Sequence, residues 1–351
     1  MTGASGIHPQ CPTVLGLFQK RIDGDDSLLR LAALRFKEAG LGAEFYAESP
    51  SELDLLLRFR PSPETPAVVH LGRGLNVFEE GGRRLIVEFS QRFQGRISGI
   101  VIHDQAEIAE RFNEYLVVLR ELESAFDKIE GCPPIFIEYA VGLDPELFIS
   151  LFKEVRGLKH VSACIDIGHI GLRQAGKTYA RYRPGEDIFA INTNTPHLTE
   201  AVEDLQRAVS AAPGAVVNMI QELGSLAKPL HFHLHDAHPL SRVSPFGISD
   251  HLSFLDKVPI PFEYKGRRYL DPMFGPDGLS KIVREALRLP RPELLSFSLE
   301  IHPTKGKLPL GNASYLFSHW QDRGNAERMN LWLSVLNKNQ KLVLKACNRR
   351  R

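Results

Sequence analysis

Six apolar segments of the chain end in side chains able to hold a divalent metal: His70, His103, Glu138, Asp166 followed by His169, His233, and Glu300. Carboxylate oxygens and imidazole nitrogens together suit Zn, Mn, Co or Mg. The chemistry on offer is therefore Lewis-acid activation of an oxygen, proton transfer by a carboxylate, or both. The donors are scattered along most of the chain. A barrel of parallel strands would gather them, because it points every C-terminal strand end at one shared pocket.

The segments carrying these donors read as short strands buried on both faces: Val68-Val69-His70, Ile100 to His103, Ile135 to Glu138, Ala163 to Asp166, His231 to His233 and Phe297 to Glu300. Continuous runs rich in Ile, Val and Phe, bounded by polar or Gly/Pro signals, have that meaning. Thr13 to Phe18 and Ala43 to Ala47 bring the total to eight. Helical periodicity fills the gaps at Ser27 to Ala39, Ser51 to Phe59, Ala106 to Ile129, Pro145 to Val155, Leu198 to Ala211 and Pro276 to Leu289. Strands alternating with helices predict a parallel sheet. The competing open, doubly wound sheet usually has a glycine-rich phosphate turn after its first strand, and Phe18-Gln19-Lys20-Arg21 offers none. The expectation is a single (β/α)8 TIM barrel over residues 12–303, with a helical extension and basic tail over 304–351. Two long connections depart from a minimal barrel: Gly171 to His197, expected to shape the pocket as a loop, and Ala237 to Pro272, which contains Ser249-Asp250-His251.

Composition sets outer limits. The chain is 43% hydrophobic and 24% charged, with a net charge of +1, so charge favours no partner class, and a small-molecule substrate is expected rather than nucleic acid. No run of eighteen apolar residues and no basic-then-apolar N-terminus is present, so neither a membrane span nor a secretion signal is expected. The four cysteines, Cys11, Cys132, Cys164 and Cys347, show no paired spacing that suggests a disulfide framework or a zinc ribbon. The cytoplasm is the default location, and a homo-oligomer is compatible with all of this.

Two donor clusters are denser than the rest. In Asp166-Ile167-Gly168-His169 a carboxylate leaves the strand, Gly168 permits a tight turn, and an imidazole returns to the same pocket. In His231-Phe232-His233-Leu234-His235-Asp236-Ala237-His238 strand alternation puts His231, His233 and His235 on one face and Leu234 on the other.

Taken in order, Ile137-Glu138, Cys164 to His169, His233-Leu234-His235-Asp236, Ser249-Asp250-His251-Leu252 and Leu299-Glu300-Ile301-His302 resemble the sugar phosphate isomerase/epimerase superfamily. These are the xylose-isomerase-like TIM barrels, which also include endonuclease IV. The resemblance covers about residues 12 to 303. In the isomerase branch it implies that Glu138, Asp166, His233 and Glu300 hold one divalent ion (Mn, Mg, Co or Zn) and that His169 contacts substrate. Glu138 and Glu300 would then serve as base and acid in metal-stabilised enediolate chemistry on a sugar, sugar phosphate or related polyol. Arg73, Lys177, Arg181 and Arg183 could receive a phosphate or carboxylate, with His103 and His235 also expected against substrate.

In the endonuclease branch three zinc ions are implied, and the added ligands fall on His70, His103, His169 and His251. The chain departs from that pattern at Ser249, where the third zinc expects an Asp; Asp250 stands one residue later. On that ground the expected enzyme is the one-metal isomerase or epimerase. A multi-zinc phosphoesterase is the first alternative, and a lyase or a non-catalytic metabolite-binding relative the second.

Overall fold

The computed structural model describes residues 12–18, 26–140, 142–241, 251–301 and 326–348. Eight strands close into one barrel: β1 (Thr13–Phe18), β2 (Gly42–Ala47), β3 (Ala67–Leu71), β4 (Gly99–His103), β5 (Ile135–Glu138), β6 (Val161–Asp166), β7 (Leu230–Leu234) and, last in the chain, β10 (Leu295–Leu299). All neighbours pair in parallel, and β10 closes the ring between β7 and β1. The expected (β/α)8 barrel is thus the observed fold. A separate antiparallel hairpin, β8 (Val258–Tyr264) and β9 (Arg267–Leu270), lies between β7 and β10 in sequence.

Parallel pairing demands a return path on the outside of the barrel, and helices provide it. They are α1 (Asp26–Ala39), α2 (Pro50–Leu56), α3 (Glu80–Arg92), α4 (Glu107–Glu110), α5 (Phe112–Phe126), α6 (Pro145–Glu154), α7 (Ile167–Tyr182), α8 (Leu198–Val209), α9 (Ala212–Gly224), α10 (Gly275–Ala286) and α11 (Ala326–Asn348). Outward strand residues such as Val69, Ile102, Ile137, Ile165, Phe232 and Phe297 pack with the helices into one large core. Inside the barrel a smaller floor is formed by Leu15, Val68, Val101, Phe136 and Cys164. The donor side chains stand above that floor.

The stretch Gly171 to His197, expected to be a loop, begins as helix: α7 runs directly out of β6 to Tyr182, and a short 3-10 turn follows at Ile188–Ala190. The buried side of α7, Ile170, Leu172, Ala175 and Tyr179, explains why. That apolar period of three to four residues is a helical stripe. Helix α11 packs against α10, α1 and β10, burying Met329, Trp332, Leu333, Leu336 and Val343. It fills the place of the helix that should follow the eighth strand.

Cys132 and Cys164 are free. Cys347, on α11, is disulfide-bonded, a bond that the spacing of the cysteines did not suggest. Among the described residues no helix is long and apolar enough to cross a membrane.

Candidate metal centre

The strand ends deliver what the sequence placed on them. His103 is in register with Glu138, and Asp166 with His233, across adjacent strands. Glu138, Asp166, His233 and Glu300 come together with one donor atom each, all within 4.8 Å of one another. His233 Nδ1 lies 3.0 Å from Glu300 Oε2, 3.4 Å from Glu138 Oε1 and 3.9 Å from Asp166 Oδ2. Ligands held about 2.0–2.3 Å from one ion stand roughly 2.8–3.8 Å apart at tetrahedral and octahedral angles. The observed spacings are close to that range. Glu138 Oε2 and His233 Nδ1 make no hydrogen bond among the described residues despite their burial. Donors that converge on a point without bonding one another fit a divalent cation.

Further groups adjoin this one: Glu44, His70 and His233, and Cys164, His231 and His233, share His233 with it, and two more share a carboxylate. His70, His103 and Glu138 form the first: His70 Nε2 is 3.1 Å and His103 Nε2 3.6 Å from Glu138 Oε2. Asp166, His169, His235 and His251 form the second. Glu138 thus belongs to two groups, and so does Asp166.

Asp166 is also the N-cap of α7, its Oδ1 accepting the His169 N–H at 2.8 Å, so the cap fixes both donors with one turn. Gly168 sits in the first turn of α7 and serves a purpose other than the tight turn expected of it. A Cβ there would come 2.0 Å from His235 Cε1, so only glycine lets that ring reach Asp166. His235 Nε2 then stands 2.9 and 3.0 Å from the two Asp166 oxygens, and its Nδ1 3.0 Å from the Asp236 carbonyl. His235, expected as a substrate contact, is fully buried and sits in the donor ring instead.

His251 reaches the ring through an antiparallel bridge of Asp236 with Leu252, whose backbone bonds are 2.7 and 2.8 Å. Its Nε2 is 3.4 Å from Glu300 Oε2, and its ring is 4.0 Å from that of His235. Ser249 and Asp250, on which the expectation for the third zinc turned, lie outside the described residues.

Two participants went unnoticed in the sequence. Glu44 and Tyr46 alternate with Ala43, Phe45 and Ala47 on β2, which reads as the wet face of an ordinary strand. In a closed barrel both faces are covered. Glu44 is fully buried, with His233 Nε2 at 3.0 Å, His231 Nε2 at 3.2 Å and His70 Nδ1 at 3.3 Å. Tyr46 donates its hydroxyl to Glu300 Oε1 and stacks on His70 with ring centroids 4.3 Å apart. Burial, with the Glu300 and Glu44 charges, holds the phenol protonated well above its ordinary range.

Electrostatics follow from this crowding. Burial acts to raise the carboxyls of Glu44, Glu138 and Glu300, but the surrounding imidazoles, His233 foremost, hold all three well below the usual carboxylate range. Burial lowers His103 to about 4, so this histidine, with 13% of its side chain exposed, is a neutral base at the rim. Arg73 is exposed on the β3–α3 connection, close enough for its charge to act on His103.

The other basic residues expected against substrate are not brought to the centre. Lys177 pairs with Asp144 at 3.3 Å and Glu146 at 3.4 Å. Arg183 pairs with Asp204 at 2.7 Å, and Arg181 is exposed. At 1.5 Å per residue along α7, Lys177 stands about 15 Å from the strand end and the two arginines about 20 Å or more.

No protein-family model matches the sequence, and no curated protein matches it. Among solved structures the chain is similar to pyruvate carboxylase from Rhizobium etli, at 12% identity and a TM-score of 0.33 over 95% of this chain and 28% of that one. It spans between 28% and 49% of the carboxylase chains it matches. It is also similar to a putative alpha-L-fucosidase from Bacteroides thetaiotaomicron, at 10% identity, TM-score 0.43, over 92% of this chain and 96% of that one. A thermostable mutant xylanase from Cellvibrio japonicus follows at 10% identity, TM-score 0.41, over 90% and 98%. Likenesses this distant say nothing about chemistry; the closed barrel stands on its own strand pairing.

Proposed function

We propose that the protein is a metal-dependent hydrolase of the xylose-isomerase-like superfamily, that its centre takes more than one divalent cation, and that its substrate is a small phosphate ester. The observation that supports this best is the sharing of Glu138 and Asp166: each belongs to two adjoining donor groups, as bridging carboxylates in polynuclear sites do. Glu138, Asp166, His233 and Glu300 would hold the central ion. His70 and His103 with Glu138 would hold a second, and His169, His235 and His251 with Asp166 a third. Such ions supply Lewis acidity toward phosphoryl oxygens and lower the pKa of water.

Charge balance favours the same reading. Four carboxylates, Glu44, Glu138, Asp166 and Glu300, are buried together. A single divalent cation would leave them half neutralised and repel an anionic substrate. Two neutralise them, and a third makes the centre attract phosphate. Arg73 at the rim adds a fixed positive charge on the approach. Tyr46 orients Glu300 by donating to its Oε1, which leaves Oε2 for His233 and His251.

A second reading, a one-metal sugar isomerase or epimerase, has its own support. Glu138 and Glu300 both face His233 Nδ1, so two carboxylates flank one point and could move a proton on and off a substrate carbon. Metal per chain after dialysis against metal-free buffer separates the readings, together with two assays. More than one equivalent with phosphate release from nitrophenyl phosphate mono- or diesters supports the hydrolase. One equivalent with solvent deuterium entering a ketose supports the isomerase, and no retained metal at any loading removes both.

A further inference from the structure

Glu44 costs the protein something that the floor of the barrel does not require. The layer below it is apolar, and a leucine or valine on β2 would extend that layer without burying a charge. The carboxylate spends both oxygens on three imidazoles. His231 takes one side: its Nε2 meets Glu44 Oε2 at 3.2 Å, and its Nδ1 accepts from the Ser296 hydroxyl at 2.7 Å. With its acceptor nitrogen occupied by Ser296, His231 donates Nε2–H to Glu44 and is locked in one tautomer. Oε1 is left for the other two rings. His233 Nε2 lies 3.0 Å from it in hydrogen-bond geometry. His70 Nδ1 lies 3.3 Å from the same oxygen, off line for a hydrogen bond, so the attraction there is electrostatic.

The consequence is one of direction. In the neutral form that metal binding requires, a His233 that donates Nε2–H to Glu44 presents its lone pair on Nδ1, the atom facing Glu138, Asp166 and Glu300. When the Nδ1 side of His70 is turned to Glu44, its Nε2 faces Glu138. We infer that Glu44 is a positioning residue that aims His70 and His233 into two adjoining metal sites at once, so that both sites depend on it while the Asp166, His169, His235 and His251 group does not. This rests on the reading of His70 and His233 as ligands. A partner that orients a metal-binding imidazole is typically worth about 10- to 100-fold in metal affinity.

The test titrates metal-free full-length protein with Co2+, following absorption in the visible range and cobalt per chain, for wild type, Glu44→Gln and Glu44→Ala. Wild type must first bind more than one Co2+; if it does not, the polynuclear reading fails before the variants are consulted. Given that, Glu44→Ala should weaken two of the binding steps by about 10- to 100-fold each and leave a third step, where there is one, unchanged. Glu44→Gln, which keeps one acceptor oxygen, should restore part of the loss. Wild-type affinities in both variants, or a loss confined to a single step, would overturn the inference. Circular dichroism of the metal-free variants shows whether they fold. Should neither fold, 15N spectra of histidine-labelled, Co2+- or Zn2+-loaded wild type decide instead: His233 must carry its proton on Nε2, and a proton on Nδ1 refutes the assignment.

Discussion

Two sets of buried carboxylates sit on the same end of the barrel and behave in opposite ways. Asp104 and Asp236 are spent on backbone amides. Asp104 accepts from Ala140 at 2.8 Å, Gly142 at 3.1 Å and Leu143 at 3.0 Å, tying the chain after β4 to the chain after β5. Asp236 accepts from Ala237 at 2.8 Å, Phe274 at 3.1 Å and Gly275 at 2.7 Å, tying β7 to the start of α10. Burial pushes both carboxyls up to about 6 despite those amides. Glu44, Glu138 and Glu300 are as deeply buried, yet they are held low by imidazoles. Amides are fixed dipoles that saturate a carboxylate and pin a loop. Imidazoles are charges that come and go with a proton, and a cation can take the proton's place. Burial alone therefore does not mark a functional carboxylate; the identity of its partners does.

The sharpest way to break that contrast is Glu138→Gln. It removes a donor common to two groups, so metal per chain should fall and kcat/KM should drop by roughly 10^2- to 10^4-fold, while the metal-free melting temperature stays within roughly 4 °C of wild type. Retained metal would place Glu138 with the amide-bound set. Asp104→Asn should do the reverse. The asparagine offers one oxygen to three N–H groups, and unfolding by denaturant should show a loss of about 2–4 kcal/mol with metal per chain unchanged. Loss of metal without loss of stability would erase the distinction between the two sets.

A buried histidine two residues beyond Asp236 extends the comparison to pH. His238 is fully buried, accepts the Leu240 N–H on Nδ1 at 3.2 Å, and is lowered by burial to about 3. The unfolded chain binds this proton near pH 6.5 and the folded chain only near 3. Stability from His238 is therefore complete above about pH 6.5 and is lost as pH falls toward 3. By pH 4.5 the loss should be on the order of 2–3 kcal/mol. His238→Asn, which keeps an acceptor near Nδ1 and cannot charge, should flatten that part of the curve; an unchanged acid slope by chemical denaturation would show that the acid sensitivity lies elsewhere.

The smallest effect is expected from Lys177→Ala. Its ion pairs with Asp144 and Glu146 are on the surface, so stability should shift by less than about 1 kcal/mol and kcat/KM by less than about twofold. A tenfold rise in KM would return Lys177 to the substrate pocket.

The sequence by itself determined the barrel and most of the donors. Eight apolar runs separated by helical stripes admit few ways to bury a parallel sheet, and a polar residue at the end of such a run has one pocket to enter. Hence His70, His103, Glu138, Asp166, His169, His233 and Glu300 were legible as donors to one pocket, while their grouping and His251, which ends no apolar run, came only through the resemblance. Mid-strand positions were not legible in the same way. The period of two in β2 shows that Glu44 and Tyr46 share a face, but whether that face meets water or the barrel axis depends on closure between β1 and β10, nearly the whole chain apart. The length of α7 was likewise hidden, because its buried stripe becomes visible only against α8 and α9. Only the tertiary structure decided which carboxylates met amides and which met imidazoles. Asp236 and His235 are adjacent in sequence, yet one ties down a loop and the other faces Asp166. That choice depends on which segments the fold brings within about 3 Å, and local sequence spacing does not encode it.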